Sequence, residues 1–130
     1  MLDFSSVRLG DAYDRKWLAK HWGFASFHPL AKGVFCPRGG GQIILFVTKE
    51  KQTSQEQYND YISGDRLYWE GEIRHGNDER IESAKSNGEE IHLFYRDIHF
   101  APFDYKGRIE LVSARRLTNK PSEFVFKILE

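Results

Sequence analysis

Short apolar runs separated by glycine, proline and charge dominate the pattern of the chain. Gln42-Ile43-Ile44-Leu45-Phe46-Val47-Thr48 is continuously apolar, as expected of a central strand buried on both faces. Over residues 90–96, Ile91, Leu93 and Tyr95 alternate with His92, Phe94 and Arg96, the period of a strand. Residues 108–114, with Ile109 and Leu111 on one face, and residues 123–129 after Pro121 read as two more strands, and Gly33–Cys36 as a short one stopped by Pro37. Gly64-Asp65 leads into Arg66-Leu67-Tyr68-Trp69-Glu70. On that strand Leu67 and Trp69 share one face, Tyr68 and Glu70 the other. Two stretches carry helical spacing. Asp14 caps a helix over 14–22, with Trp17, Leu18, His21 and Trp22 as its apolar stripe and Gly23 as its stop. A second helix spans 77–88, capped by Asn77 or Asp78, with Ile81, Ala84 and Lys85 facing inward and Gly88 ending it. Residues 49–60 read as a polar surface excursion, 73–76 as a turn, and Phe103–Gly107 as the end of a loop.

Five or six strands and two helices in a non-alternating order predict an α+β domain. Consecutive strands at the C-terminal end favour antiparallel pairing, so the expected shape is a strongly curved, mostly antiparallel sheet or a small open barrel. At 130 residues the chain reads as a single domain, or as a piece of a larger protein.

Composition narrows the function. Ten Phe, six Tyr and three Trp supply a dense core with rings to spare. Nineteen basic residues balance nineteen acidic ones, so any nucleic-acid contact must come from a local patch. The single cysteine, Cys36, excludes an internal disulfide and fits a reducing cytoplasm. No apolar run approaches the roughly 20 residues of a membrane span, and the N-terminus lacks signal-peptide character. No catalytic constellation is visible. The five histidines show no zinc spacing, Cys36 has no activating neighbour, no serine lies in a nucleophile elbow, and no Lys-Ser/Thr pair follows the glycine loop. The expectation is a non-enzyme without metal or cofactor.

Five segments, taken in order, resemble a known kind of domain: Gly33-Val34-Phe35 with Pro37, Ile44–Thr48, Leu67-Tyr68-Trp69-Glu70-Gly71, His92–Arg96, and Pro102–Arg108. The chain resembles, from Leu9 to Phe126, a small domain found beside HNH or phospholipase-D-type nucleases and at the end of helicase-like proteins of bacterial DNA defence. That resemblance implies a PUA-like fold related to SRA domains. It also implies a role as the DNA-reading module of a type IV-like, modification-dependent restriction enzyme. Its partners would be duplex DNA carrying a modified base, flipped into an aromatic pocket, and an attached or associated nuclease.

A base reader needs rings to stack on, a carboxylate or carbonyl to accept from an exocyclic amine, and cations for phosphates. Trp69 and Tyr68 are the strand rings, with Phe35 and Tyr105 from segments expected to converge with them. Trp69 is the residue expected in the pocket. Asp65 is the candidate acceptor. Arg38 with Gly39 and Gly40 forms a loop suited to close approach to DNA. Arg74, His75, Arg96 and Lys106 are candidate phosphate contacts. Each has a plainer reading: core packing for Trp69 and Phe35, a turn for Asp65, a hairpin loop for the glycines. The expected mark is 5-methylcytosine or 5-hydroxymethylcytosine. N6-methyladenine, a phosphorothioate, RNA binding by a PUA-like module, and a protein-interaction domain remain as alternatives.

Overall fold

The computed structural model describes residues 2–50, 60–72 and 74–129. Its spine is the pair the pattern marks most clearly. β3 (Gln42–Glu50) runs parallel to β6 (Glu90–Ile98), with Ile43 opposite Ile91 and Leu45 opposite Leu93. Every other pairing among the described residues is antiparallel. β2 (Val34–Phe35) flanks β3. On the far side of β6 come β7 (Phe103–Arg115), β8 (Glu123–Ile128), β5 (Arg66–Glu70) and β4 (Tyr61–Ser63) in that order. β1 (Ala12–Tyr13) pairs with the start of β7. The eight strands form one mixed, strongly curved sheet, with β2 and β4 as its two ends.

Alternation along the strands builds two cores. Ile43, Leu45, Val47, Leu93, Leu67 and Trp69 point into one, which α2 (Asp78–Ser83) closes with Ile81 and with Ala84 just past its end. Ile44, Phe46, Phe94, Phe103 and Tyr105 point into the other, which α1 (Arg15–His21) covers with Leu18 and Ala19. That strands from both ends of the sheet contribute to the first core follows from the curvature. Register shifts between Leu93 and Phe94 and between Leu111 and Ser113 supply part of the bend. Each large side chain so buried contributes about 1.5–3 kcal/mol before entropy is counted.

Several expectations are corrected. Residues 103–115 form one strand, not a loop followed by a strand: every second residue from Phe103 to Ile109 is buried, Phe103 and Tyr105 against the second core and Ile109 against the first, with the register shift at Lys106 between them. β1 and β4 raise the strand number above the five or six expected. Asp14 does cap α1, its Oδ1 accepting from the Trp17 N–H at 2.7 Å. The buried stripe, however, is Leu18 and Ala19. Trp17 is 42% exposed and stacks on His21 at 4.8 Å. Lys85 faces out, its Nζ 2.6 Å from Glu110. The polar excursion over 49–60 lies largely outside the described residues, but its last member, Asp60, is buried.

Candidate nucleic-acid interface

β5 is a regular strand, paired on both sides without a shift, so Tyr68 and Trp69 point to opposite faces. Tyr68 lies half-buried on the outer side, stacked on Tyr61 at 4.9 Å. Trp69 points inward, 6% exposed, with its ring 5.4 Å from Phe124. Trp69 also forms part of the wall of a cavity of about 200 Å³ in the gap between the two ends of the sheet. Gly33 and Phe46 line it from the β2–β3 side; Asp60, Glu70, Gly71 and Glu72 line it from the β4–β5 side.

Asp60 is the residue that sequence reasoning missed. It is 4% exposed, and its Oδ1 accepts the Glu70 N–H at 2.8 Å. This bond fixes a carboxylate at the mouth of the β4–β5 hairpin, in the cavity that Trp69 also lines. A polar run gives no reason to bury one of its members; only the partner ten residues further on reveals it. The hairpin's exit is equally constrained. The Gly71 N–H donates to the Ser122 carbonyl at 2.8 Å, and a Cβ on Gly71 would lie 2.9 Å from Phe124 Cε2 and 3.0 Å from Asp78 Oδ1. Glu72 Oε1 accepts from the Asn77 backbone N–H and side-chain amide at 3.1 and 2.8 Å.

The other candidates do not converge on this cavity. Phe35 packs edge-on against Phe24 in the second core, on the opposite face of the sheet from Trp69. Tyr105 is buried there too, its hydroxyl 2.7 Å from His92 Nδ1. Tyr105 does share a wide hollow with Asp65 and Lys106, but Asp65 is exposed and lies 3.6 Å from Arg66 Nε. The turn carrying Arg38, Gly39 and Gly40 stands between β2 and β3 with Arg38 exposed. Gly39, Gly40 and Gly41 all have positive φ, which glycine adopts without strain. Glu89 holds this turn: it accepts from the Gly41 N–H at 3.1 Å and from both the Nε and the Nη2 of Arg80. Arg74 is exposed. Arg96 is 9% exposed, its Nε donating to Thr48 Oγ1 at 2.7 Å.

His75 is occupied structurally. Its Nδ1 lies 2.8 Å from Asp78 Oδ2 and 3.3 Å from Ser122 Oγ. The trio has the residue types of a hydrolase triad, but both oxygens meet the same nitrogen. The one that faces the carboxylate carries the proton, so no imidazole base faces the serine. Burial pushes the Cys36 thiol up, away from the thiolate a nucleophile needs. Among the described residues no group of three or more His, Cys, Asp or Glu is placed to hold a metal ion, and no helix is long and apolar enough to cross a membrane.

No family model matches the chain, and no curated protein matches it in sequence. Among solved structures it is similar to the SUVH5 SRA domain in complex with fully methylated CG DNA: TM-score 0.64 at 13% identity, over 99% of this chain and 94% of that one. The same domain with methylated CHH DNA gives a TM-score of 0.62 at 12% identity, over 99% and 93%. The DNA modification-dependent restriction endonuclease AspBHI gives 0.51 at 14% identity; the match spans 98% of this chain and 43% of that enzyme. At these identities the likeness is one of architecture, and it extends over nearly the whole chain: the protein has an SRA-like fold.

Proposed function

We propose that the chain reads a modified cytosine in duplex DNA by taking the extruded base into the Asp60–Trp69 cavity. In this reading it is the targeting module of a modification-dependent restriction enzyme whose nuclease lies in an attached or associated domain. The observation that carries the reading is a cavity lined by both a buried carboxylate and a tryptophan, in the gap of an SRA-like sheet. The fold is shared with an SRA domain solved on methylated DNA and with a restriction endonuclease that depends on DNA modification, which supports the same assignment.

The physical chemistry agrees. Extruding a base costs a few kcal/mol of pairing and stacking. An aromatic wall returns roughly 1–3 kcal/mol per base. A fixed carboxylate accepts from the exocyclic amine of cytosine, where thymine would present a carbonyl. An apolar cage without a carboxylate would suit N6-methyladenine better, so Asp60 favours the cytosine marks. In this reading Trp69 would form the wall expected of it from the strand pattern, and Asp60 would take the acceptor role expected there of Asp65.

The test is a binding screen of the chain against short duplexes that differ only in the mark. The expected result is tighter binding of 5-methylcytosine or 5-hydroxymethylcytosine duplex than of unmodified duplex. Equal, weak binding to all duplexes refutes the reading. Preference for N6-methyladenine or phosphorothioate replaces the mark, preference for single-stranded RNA replaces the ligand, and no nucleic-acid binding leaves a protein-interaction domain.

A further inference from the structure

Two guanidiniums lie together on the second core. Arg96, on β6, donates from Nε to Thr48 Oγ1 at 2.7 Å and from Nη1 to the Ala101 carbonyl at 3.1 Å. Arg15, at the start of α1, donates from Nε to the Leu30 carbonyl at 2.6 Å and from Nη2 to the Lys32 carbonyl at 3.4 Å. Both sit over the Phe103 ring, at 4.8 Å for Arg15 and 4.1 Å for Arg96. Arg66, Arg80, Arg108, Arg115 and Arg116 each meet a carboxylate, but among the described residues neither Arg15 nor Arg96 does. Burial, and then the neighbouring Arg96, pull Arg15 down to about 10. Like charges held in a partly desolvated place are unfavourable until an anion joins them.

The two arginines line one cavity of about 450 Å³ with Lys16, His99 and Phe100. Asp14 borders it as well, with its Oδ1 engaged by the Trp17 N–H. A guanidinium has five N–H donors in a fork that matches phosphate oxygens, and the bonds above leave donors over on both side chains. Phe100 stands at the rim, 81% exposed and in left-handed backbone at φ 72°, a conformation a bulky residue seldom adopts. Arg15 Cζ also lies 4.9 Å from the centre of the Phe46 ring, which packs with Phe103 in the second core.

We propose that the Arg15–Arg96 cavity binds a backbone phosphate of the DNA, with Lys16 and His99 at its mouth and Phe100 against the sugar. The DNA in this proposal rests on the reading given above; the phosphate chemistry rests on the cavity itself.

The test measures binding of modified and unmodified duplex across a salt series for the whole chain. Arg96→Gln and the exposed-site variant Lys16→Glu are expected to weaken both duplexes alike, to leave their ratio unchanged, and to reduce the slope of log K against log salt by about 1. Asp60→Asn, by contrast, changes the ratio and leaves the slope. Lys16→Glu keeps the test decisive where Arg96→Gln does not fold. A wild type with no preference for a mark, but with a salt slope that Lys16→Glu reduces, removes the modified-base reading and supports the phosphate site. Unchanged affinity and slope in folded Lys16→Glu overturn the proposal. It is also overturned as a DNA site when inorganic phosphate shifts the Arg15 and Arg96 Nε–H resonances and duplex DNA does not.

Discussion

Asp60→Asn tests the role of the buried carboxylate. The asparagine keeps one side-chain oxygen, which suffices to accept the Glu70 N–H that Asp60 Oδ1 now accepts at 2.8 Å. It replaces the second oxygen with an NH₂ and removes the charge. Against a cytosine whose exocyclic amine needs an acceptor, the loss is that of a hydrogen bond to a charged group, about 1.5–3 kcal/mol. At 1.36 kcal/mol per decade this is roughly a 10- to 150-fold fall in affinity for the modified duplex. Affinity for unmodified duplex, held by phosphates, stays near the wild-type value. Fluorescence anisotropy with paired duplexes at one salt concentration reads the ratio, and a thermal melt establishes that the variant is folded. A folded Asp60→Asn chain that keeps the wild-type preference refutes the assignment of Asp60 as the acceptor.

Trp69→Ala opens a void in the first core and is expected to cost about 3–5 kcal/mol, much of the stability of a domain this size. Trp69→Phe costs less, so urea denaturation should separate the two and binding should be tested on the phenylalanine variant. Gly71→Ala is expected to destabilise by about 1–3 kcal/mol, because Phe124 and Asp78 are each 1% exposed and cannot yield to the new methyl. Gly76→Ala, whose methyl would meet only Glu72 Oε1 at 3.7 Å, should melt close to wild type. His92 gives a pH dependence. Burial, against the opposing pull of Glu90, holds its pKa below the ordinary 6.5, so the unfolded chain binds the extra proton first. Its contribution is complete above 6.5 and is lost as pH falls from there toward the folded value. Urea midpoints measured between pH 7 and 5 should decline in wild type and decline less in His92→Gln.

The strands were legible where one signal sufficed. The unbroken apolar run of β3 required burial on both faces, and its residues divide between the two cores as alternation demands. The opposite facing of Tyr68 and Trp69 followed from strand geometry alone. What the sequence hid depends on partners distant along the chain. Asp104, Lys106 and Gly107 look like turn residues, yet pairing with β1 on one side and β6 on the other draws them into β7. Phe35 and Tyr105 are rings as suitable for stacking as Trp69. They fall into the other core because the face on which a ring lies is set by register, which one strand's composition does not reveal. Asp60 and Arg15 are charged residues that local pattern assigns to solvent. One is buried by an amide ten residues away, the other by carbonyls of the irregular segment before β2.

The separation of charge between the two cavities bears on how a chain of zero net charge would bind DNA under the proposed reading. Asp60, Glu70 and Glu72 line one cavity, with Trp69 of the first core; Arg15, Lys16, Arg96 and His99 line the other, with Phe103 of the second. A phosphate is repelled by the first and drawn to the second, while an exocyclic amine experiences the reverse. In that reading the first cavity takes the base and the second a phosphate. Balanced charge elsewhere would limit the number of phosphates the chain neutralises and so keep sequence-independent affinity low. With that background small, an interaction of a few kcal/mol at the base accounts for a larger share of total binding than it does for a strongly basic protein. If the chain is such a reader, this balance lets it pass over unmodified DNA, and an added exposed lysine near Lys16 should raise affinity for both duplexes while leaving their ratio unchanged.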